Sequence, residues 1–147
     1  MEIERKYLIK TMPADLSIYP VRYIEQGYLC TSPVVRVRQD NTQYELTYKS
    51  KGLMVREEYT MPLTAESYAH LCKKIDGILI AKKRYMIPFQ SYTIELDVFE
   101  GTLAPLVLAE VEFTTEEDAN SFTPPDWFGA DVTYCSDYHN STLSQRK

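Results

Sequence analysis

The sequence predicts a mainly β domain (α+β) of antiparallel strands with a few flanking helices. Most of the 147 residues fall into short segments in which apolar and charged residues alternate with a period of two, which is typical of strands. Turn residues such as Asp40-Asn41 and Gly52 separate these segments. One stretch, 65–75, has clear helical spacing instead. The length fits a single domain over residues 1–147.

The first half of the chain contains five predicted strands. In the first of them, Glu2, Glu4 and Lys6 share one face and Ile3 lies on the other, because successive side chains of a strand point to opposite sides. A connection with at most one helical turn follows this strand, and Pro62 is expected to end the fifth. The segments that alternate in this way are 1–10, 22–29, 34–38, 44–49 and 55–62.

The second half begins with the predicted helix 65–75. Thr64 is expected to cap its start, and Asp76-Gly77 is expected to end it. Alternation then returns, and Thr115 is expected to cap a short helix after the last strand. The C-terminal remainder is predicted to pack over one end of the sheet. The strands of this half are 78–89, 91–99 and 106–113.

Composition argues against several classes of protein. The formal net charge of −5 does not suit a protein that coats nucleic acid, which needs a positive surface. No run of about 18 apolar residues is present, and the N-terminus begins with a charged strand, so we expect a cytoplasmic protein without a membrane segment. The three cysteines are far apart and lack C-x-x-C spacing, so they predict neither a disulfide framework nor a zinc site.

Pairs of like charges recur two residues apart on the predicted strands. They are Glu2/Glu4, Arg36/Arg38, Lys82/Arg84, Glu95/Asp97 and Glu110/Glu112. Such neighbours lie about 7 Å apart on one face and repel each other unless something neutralises them. For any single strand, a solvated polar face is the plainer interpretation. The five pairs together favour a barrel with its charges inside, because divalent cations neutralise carboxylates and phosphate oxygens neutralise arginine and lysine.

The same residues resemble the CYTH superfamily, also called triphosphate tunnel metalloenzymes, over nearly the whole chain. This superfamily includes inorganic triphosphatases, thiamine triphosphatases and class IV adenylate cyclases. Its hallmark, an N-terminal E-x-E-x-K strand, is matched by Glu2-Ile3-Glu4-Arg5-Lys6. The further matches, in chain order, are Gln26-Gly27-Tyr28-Leu29, Arg36 with Arg38, Lys49, Arg56 with Glu58, Lys82 with Arg84, Asp97 before Phe99, and Glu110 with Glu112.

The resemblance implies a closed eight-stranded antiparallel barrel that binds a linear triphosphate and a divalent metal ion, Mg²⁺ or Mn²⁺, in its interior. The residues implied to bind phosphate oxygens are Lys6, Arg36, Arg38, Lys49, Arg56, Lys82 and Arg84. Those implied to hold metal are Glu2, Glu4, Glu58, Asp97, Glu110 and Glu112. The implied catalytic group is Glu2, Glu4 and Lys6, in which the two glutamates position a second metal ion or the attacking water.

One position departs from the family pattern. Family members often carry a basic residue just before a Y-x-N-x-x-L-like segment, whereas here Asp137 precedes Tyr138, Asn140 and Leu143. We therefore expect one terminal phosphate ligand to be missing, which leaves the preferred length of the phosphate chain open. Glu95 fits the inward face of its strand but matches no position of the family pattern.

The expected chemistry is metal-dependent hydrolysis of a phosphoanhydride, with tripolyphosphate as substrate and orthophosphate as product. A class IV-type adenylate cyclase and a thiamine triphosphatase are alternatives, because they share the phosphate-binding residues. A non-catalytic polyphosphate or nucleotide-binding module is a further alternative, which the many carboxylates disfavour. The expected partner is a small-molecule triphosphate, with no nucleic acid and no membrane. A homodimer through outer apolar residues such as Val35, Val37 and Leu46 is left open.

Overall fold

The computed structural model describes residues 1–145, which form ten β-strands, three α-helices and three short 3-10 helices. The strands are β1 Glu2–Ile9, β2 Val21–Thr31, β3 Val34–Asp40, β4 Gln43–Lys49, β5 Val55–Arg56, β6 Glu58–Leu63, β7 Asp76–Phe89, β8 Tyr92–Phe99, β9 Val107–Glu112 and β10 Phe128–Asp131. The helices are α1 Ala65–Cys72, α2 Glu116–Ser121 and α3 Asn140–Leu143, and the 3-10 helices are Leu16–Ile18, Gly101–Leu103 and Ser136–Tyr138. Within the described residues, no helix has the length and apolar character needed to cross a membrane.

The strands curl into a nearly closed antiparallel barrel. Neighbours hydrogen-bond in the order β1, β9, β8, β7, β2, β3, β4 and β6. The short strand β5 leads into β6 across Glu57 and pairs back onto β1, with Glu2 opposite Arg56 and Ile3 opposite Val55. When β5 and β6 are counted as one interrupted strand, the ring has eight strands. The predicted eight-stranded antiparallel barrel is therefore confirmed.

The larger hydrophobic core lies outside the barrel wall. Outward-facing Tyr7, Ile94 and Leu96 are each at most 2% exposed. They pack with Phe122, which follows α2, and with Phe128 of β10, whose ring centroid lies 4.8 Å from that of Tyr7. Each such buried side chain stabilises the fold by about 2 kcal/mol. The apolar packing therefore lies on the outer faces of the strands, and the charged residues lie on their inner faces.

The C-terminal segment closes one end of the barrel. Leu143 of α3 is fully buried and packs in a second cluster with Ile80 and Phe99. The Ser144 carbonyl accepts a hydrogen bond from the backbone nitrogen of Ile78 at 2.7 Å, which ties this segment to the start of β7. The prediction that the C-terminal remainder packs over one end of the sheet is thus confirmed.

Helix α1 covers part of the outer face of β3 and β4. Its N-terminus has the predicted cap: the Thr64 hydroxyl accepts from the Ser67 nitrogen at 3.0 Å, and the Ser67 hydroxyl accepts from the Thr64 nitrogen at 2.9 Å. Tyr68 is buried, and its ring centroid lies 5.2 Å from that of Tyr44. Val37 is fully buried within the single chain, so it is not available for the homodimer contact that the sequence left open.

The end of α1 differs from the prediction. The helix stops at Cys72 rather than Ile75, and Asp76 begins β7 instead of terminating the helix. Tertiary contacts explain both differences: Asp76 pairs with Tyr28 of β2, and a Cβ atom at Gly27 would lie only 2.7 Å from Ile75 Cγ2. The chain therefore leaves the helix early in order to pack on β2.

Two strand features were also missed. Pro62 lies inside β6 rather than ending it, because β6 hydrogen-bonds to β4 there and proline is tolerated on such an edge. β10 was not predicted, since its four residues show no alternation. It pairs with the outer edge of β1, where Asp131 lies opposite Tyr7 and accepts a 2.6 Å hydrogen bond from Arg5.

Candidate functional site

The barrel encloses a cavity of about 240 Å³ that is lined almost entirely by charged and polar side chains. Inward-facing strand positions supply most of them, and the C-terminal segment supplies the rest. The lining residues are Glu2, Glu4, Lys6, Arg22, Tyr28, Val34, Arg36, Arg38, Glu45, Lys49, Arg56, Glu58, Thr60, Arg84, Glu95, Glu110, Glu112, Asn140 and Ser141. The strand alternation thus directs the charged faces inward, as the sequence predicted.

Carboxylates concentrate on one side of the cavity, which we call the acidic wall. The antiparallel register of β1 and β9 places Glu4 opposite Glu112 and Lys6 opposite Glu110. Period-two alternation on two adjacent strands therefore brings several carboxyl groups onto one inner surface. The acidic wall consists of Glu2, Glu4, Glu58, Glu110 and Glu112.

Part of the negative charge of the acidic wall is not neutralised by neighbouring cations. Among the described residues, no lysine or arginine forms an ion pair with Glu4. Burial, together with the charges of Glu110 and Glu2, raises the pKa of the Glu4 carboxyl to about 8. Burial also raises the pKa of Glu112 and that of Glu58, which shares a hydrogen bond with Glu2. A bound cation would relieve this repulsion.

Three carboxylates of the acidic wall do have cationic partners, and for Glu58 the partner is Lys49, whose Nζ lies 3.5 Å from Glu58 Oε2. Lys6 Nζ lies 3.2 Å from Glu110 Oε1, and Arg84 Nη2 lies 3.6 Å from Glu110 Oε2. Lys49 Nζ donates to both Glu2 carboxylate oxygens at 3.0 Å. Burial opposes the ionisation of Glu110 and Glu2. The charges of Lys6 and Arg84 nevertheless hold the pKa of Glu110 well below its usual value, and Lys49 lowers the pKa of Glu2.

Arginines form the opposite side of the cavity, which we call the basic wall (Arg36, Arg38 and Arg84). Arg38 donates from Nε and Nη2 to Gln26 Oε1 at 2.9 and 2.7 Å, and Arg36 donates to the Thr47 hydroxyl at 3.2 Å. Burial, with the charges of Arg36 and Arg84, lowers the pKa of Arg38 to about 10. Arg36 Nε is buried and has no hydrogen-bond partner among residues 1–145. This wall therefore has unused capacity to bind an anion.

Lys82 and Asp97 lie behind the basic wall and do not line the cavity. Asp97 accepts hydrogen bonds from Arg84 Nε and Nη2 at 2.8 and 2.9 Å and lies 2.7 Å from Lys82 Nζ. Both side chains are completely buried, and Lys82 pairs with Phe99, one step beyond the Arg84–Asp97 pair. Of the predicted phosphate and metal ligands, these two are therefore not brought to the cavity. Their contacts fix the orientation of Arg84.

Several lining residues had no assigned role in the sequence analysis. Glu45 and Thr60 share inward strand faces with Lys49 and Glu58, so alternation alone could have identified them. The C-terminal residues reach the cavity only because their segment folds over the barrel end, and no periodic signal marks them. The residues without an assigned role are Arg22, Tyr28, Val34, Glu45, Thr60, Glu95, Asn140 and Ser141.

The part of the C-terminal segment that the structure describes adds no cation to the cavity. The Tyr138 carbonyl accepts a hydrogen bond from Lys6 Nζ at 3.1 Å. His139 Nδ1 lies 3.0 Å from Arg56 Nη2. Asp137 is exposed and does not line the cavity, so a basic residue is absent at the place where the family pattern often has one. Up to residue 145, the segment therefore orients Lys6 and Arg56 without contributing charge of its own.

The acidic wall fits a divalent cation by its chemistry. Within residues 1–145, no three His, Cys, Asp or Glu side chains already converge as a ligand set. Ion pairs explain why the carboxylates do not converge, because the Glu110 carboxylate contacts Lys6 and the Glu2 carboxylate contacts Lys49. Carboxylate oxygens are nevertheless the ligands that hard divalent cations prefer, and the charges of Glu110 and Glu2 add to burial in raising the pKa of the Glu4 carboxyl.

Comparison with known proteins places the chain in a family. The CYTH domain model matches residues 1–123. A protein named inorganic triphosphatase from Nitrosomonas europaea is 42% identical and covers 97% of this chain and 96% of its own length. A protein of the same name from Acetivibrio thermocellus is 36% identical and covers 97% of this chain and 92% of its own length. A crystal structure of an inorganic triphosphatase has a TM-score of 0.74 at 36% identity and covers 100% of this chain and 96% of its own. The barrel, the charged interior and these similarities together show that the chain belongs to the CYTH family.

Proposed function

We propose that this protein is a divalent-metal-dependent inorganic triphosphatase that hydrolyses tripolyphosphate and releases orthophosphate. The observation that carries the proposal is the enclosed cavity in which the acidic wall faces the basic wall. A linear triphosphate is a compact polyanion whose oxygens suit arginine on one side and a metal ion on the other. The full-length similarity to proteins named inorganic triphosphatase supports the same substrate.

The basic wall is proposed to bind the phosphate oxygens. In the part of the chain that the structure describes, Arg38 forms no ion pair with a carboxylate, and the ion pair of Arg36 Nη2 with Glu45 Oε1 is long, at 4.0 Å, while its Nε has no partner, so both guanidinium groups can bind an anion. Arg84 is held in place by Asp97, which Lys82 fixes in turn, so both act as positioning residues. The proposed phosphate ligands that line the cavity are Lys6, Arg36, Arg38, Lys49, Arg56 and Arg84.

The acidic wall would hold the metal ion, Mg²⁺ or Mn²⁺, through Glu2, Glu4, Glu58, Glu110 and Glu112. When bound, the ion supplies positive charge at the phosphate oxygens and lowers the pKa of the attacking water.

The reaction itself requires little covalent chemistry from the protein. Water attacks the terminal phosphorus in line, the anhydride P–O bond breaks, and orthophosphate and pyrophosphate are formed. A carboxylate oxygen of Glu4 is proposed to accept the proton of the water once a bound cation has favoured the ionised form, because the raised pKa of Glu4 makes its carboxylate a stronger base than an ordinary glutamate. Arg36, Arg38 and Arg84 stabilise the charge that develops on the leaving pyrophosphate.

A phosphate-release assay tests the proposal. Tripolyphosphate, ATP and thiamine triphosphate are compared with Mg²⁺ or Mn²⁺ and with EDTA, for the natural protein and for Glu4→Gln. We expect metal-dependent release that favours tripolyphosphate and a loss of kcat of about a thousandfold in Glu4→Gln, since an acid–base group and a metal ligand are removed together. Glu66→Gln, an equivalent change at an exposed position of α1, is the control and should stay within about twofold.

Other outcomes of this assay would assign another function. Cyclic AMP as the main product from ATP would identify a cyclase, and preferential turnover of thiamine triphosphate would identify a thiamine triphosphatase. Tight metal-dependent binding of triphosphate with background turnover would identify a binding module.

We further propose that residues 1–147 form a single domain located in the cytoplasm. The free thiols of Cys30, Cys72 and Cys135 suit a reducing compartment. Tyr59 and Met61 on the outer face of β6 are 63% and 57% exposed and would supply the apolar contact of a homodimer. Light scattering of the purified protein measures the oligomeric state directly.

A further inference from the structure

A second pocket, of about 210 Å³, lies at the barrel end that the C-terminal segment covers. We call it the rear pocket. It is enclosed by the turn between β2 and β3, the turn after β4, and the C-terminal segment. It is lined by four residues that carry hydroxyl groups, Thr31, Ser32, Ser50 and Ser141, of which the Ser50 hydroxyl already donates to the Lys51 carbonyl oxygen at 3.3 Å. Such groups donate hydrogen bonds to anions without adding charge.

The charge of the rear pocket is positive in an otherwise acidic protein. Lys51 and Arg56 line it, and none of its described lining residues is an aspartate or a glutamate, although the chain carries a net charge of −5. Lysine and arginine combined with hydroxyl donors are the groups that bind phosphate oxygens in proteins. The composition of the rear pocket therefore fits a phosphate group.

The rear pocket adjoins the main cavity. Val34, Arg56 and Ser141 line both spaces. His139 holds Arg56 at this boundary: its Nδ1 lies 3.0 Å from Arg56 Nη2, and its Nε2 lies 3.2 Å from the Thr133 carbonyl oxygen. A guanidinium fixed in this position can contact anions on both sides of the boundary.

Another space that adjoins the main cavity has the opposite charge. A pocket of about 760 Å³ shares Glu95 and Glu112 with the main cavity and also contains Asp118. No described lysine or arginine side chain lines it. A phosphate anion is repelled on that side and attracted on the other.

We propose that the rear pocket is a second phosphate site, which takes a phosphate group lying beyond the triphosphate. The group is either the orthophosphate product or the fourth phosphate of a longer polyphosphate chain, since both present the same oxygens. This inference rests on the proposed triphosphatase function for its substrate. It adds a site in which Lys51 and Arg56 are the cations. Hydrolysis of a triphosphate in the main cavity does not itself require this site.

The test uses Lys51→Glu, with Lys74→Glu as the matched control. Lys51 is exposed and lines only the rear pocket, and Lys74 is exposed after α1 and lines neither the rear pocket nor the main cavity, so both variants should fold. Calorimetry measures orthophosphate binding to the metal-free proteins in EDTA. Kinetics measure inhibition by orthophosphate and the ratio of kcat/KM for tetrapolyphosphate over tripolyphosphate.

We expect Lys51→Glu to weaken orthophosphate binding by about tenfold relative to Lys74→Glu, because attraction becomes repulsion at short range. A matching rise in the inhibition constant assigns the site to the product, and a fall in the tetrapolyphosphate ratio assigns it to a longer chain. Equal calorimetric and kinetic values for the two variants would overturn the proposal. If the natural protein hydrolyses no triphosphate, the proposed function fails, yet the calorimetry still decides whether the rear pocket binds phosphate.

Discussion

At the scale of single residues, Glu4 keeps its proton over a pH range in which an ordinary glutamic acid is ionised. Burial and the charges of Glu110 and Glu2 raise its pKa from 4.5 to about 8 in the folded chain. Between these two values, the folded protein binds one proton that the unfolded chain releases. The free energy of unfolding therefore falls as pH rises from 4.5 to about 8, and this contribution is constant outside that range.

We predict that Glu4→Gln removes this pH dependence. In EDTA, the natural protein should lose about 2–4 kcal/mol more of its free energy of unfolding between pH 5 and 9 than the variant loses, because glutamine cannot ionise. Urea unfolding at several pH values measures this difference. The raised pKa values of Glu58 and Glu112 act in the same direction but are present in both proteins. Parallel profiles for the two proteins would show that Glu4 titrates normally.

Arg38 has a different balance between stability and function. Its guanidinium is buried on Gln26, with no ion pair to a carboxylate among the described residues, and its pKa is lowered to about 10. A buried charge without a close counter-charge destabilises a fold. The presence of Arg38 inside the barrel is therefore better explained by the binding of an anion than by a contribution to the stability of the protein.

We predict that Arg38→Gln lowers kcat/KM for tripolyphosphate by about a hundredfold while leaving stability unchanged or raising it by about 1 kcal/mol. Initial rates and urea unfolding measure the two effects, and Lys74→Gln serves as an exposed control. The opposite pattern, a loss of several kcal/mol with normal kcat/KM, would assign Arg38 a structural role.

At the scale of elements, the junction between α1 and β7 depends on Gly77. This residue has φ of +74°, and a Cβ atom there would lie 2.1 Å from the Ser144 carbonyl oxygen. The same oxygen accepts the hydrogen bond from Ile78 that ties the C-terminal segment to the barrel. A side chain at this position must therefore displace the segment that supplies Asn140 to the cavity.

We predict that Gly77→Ala destabilises the protein by about 3 kcal/mol and raises KM for tripolyphosphate, through backbone strain plus a steric clash. Gly101→Ala is the matched control, because Gly101 also has positive φ, +64°, but its Cβ would meet no atom within 4 Å. Gly101→Ala should lower the free energy of unfolding by only about 1 kcal/mol. Thermal unfolding and initial rates compare the variants, and equal losses at both glycines would argue against the clash with Ser144.

At the scale of the whole molecule, sequence alternation predicts which face of each strand lines the barrel but not how deep each residue lies. Lys82 and Arg84 share a face of β7, yet only Arg84 reaches the cavity. The register with β8 decides this difference, since it sets Lys82 against Phe99 and Arg84 against Asp97. Depth along the barrel follows from the stagger between strands, which a single sequence does not display.

The C-terminal third was the least predictable part of the molecule for a related reason. β10 and α3 are each four residues long, too short to show a period. Their positions depend on contacts made far away in the chain, such as the Arg5–Asp131 hydrogen bond and the packing of Leu143 on Ile80. A long alternating strand can be recognised from its local sequence pattern. These short elements, in contrast, depend on contacts with the barrel.

The separation of an apolar outer face from a charged inner face has a consequence for how this family can vary. In β8, Ile94 and Leu96 face outward while Glu95 and Asp97 face inward. Substitution at an inward position can alter ligand recognition and leave the outer packing intact. Deletion of one residue within the strand would instead exchange the two faces, sending Leu96 toward the cavity and a carboxylate into the apolar layer. Barrel strands should therefore tolerate changes of residue type between homologues but keep their lengths, and insertions and deletions should be confined to the loops.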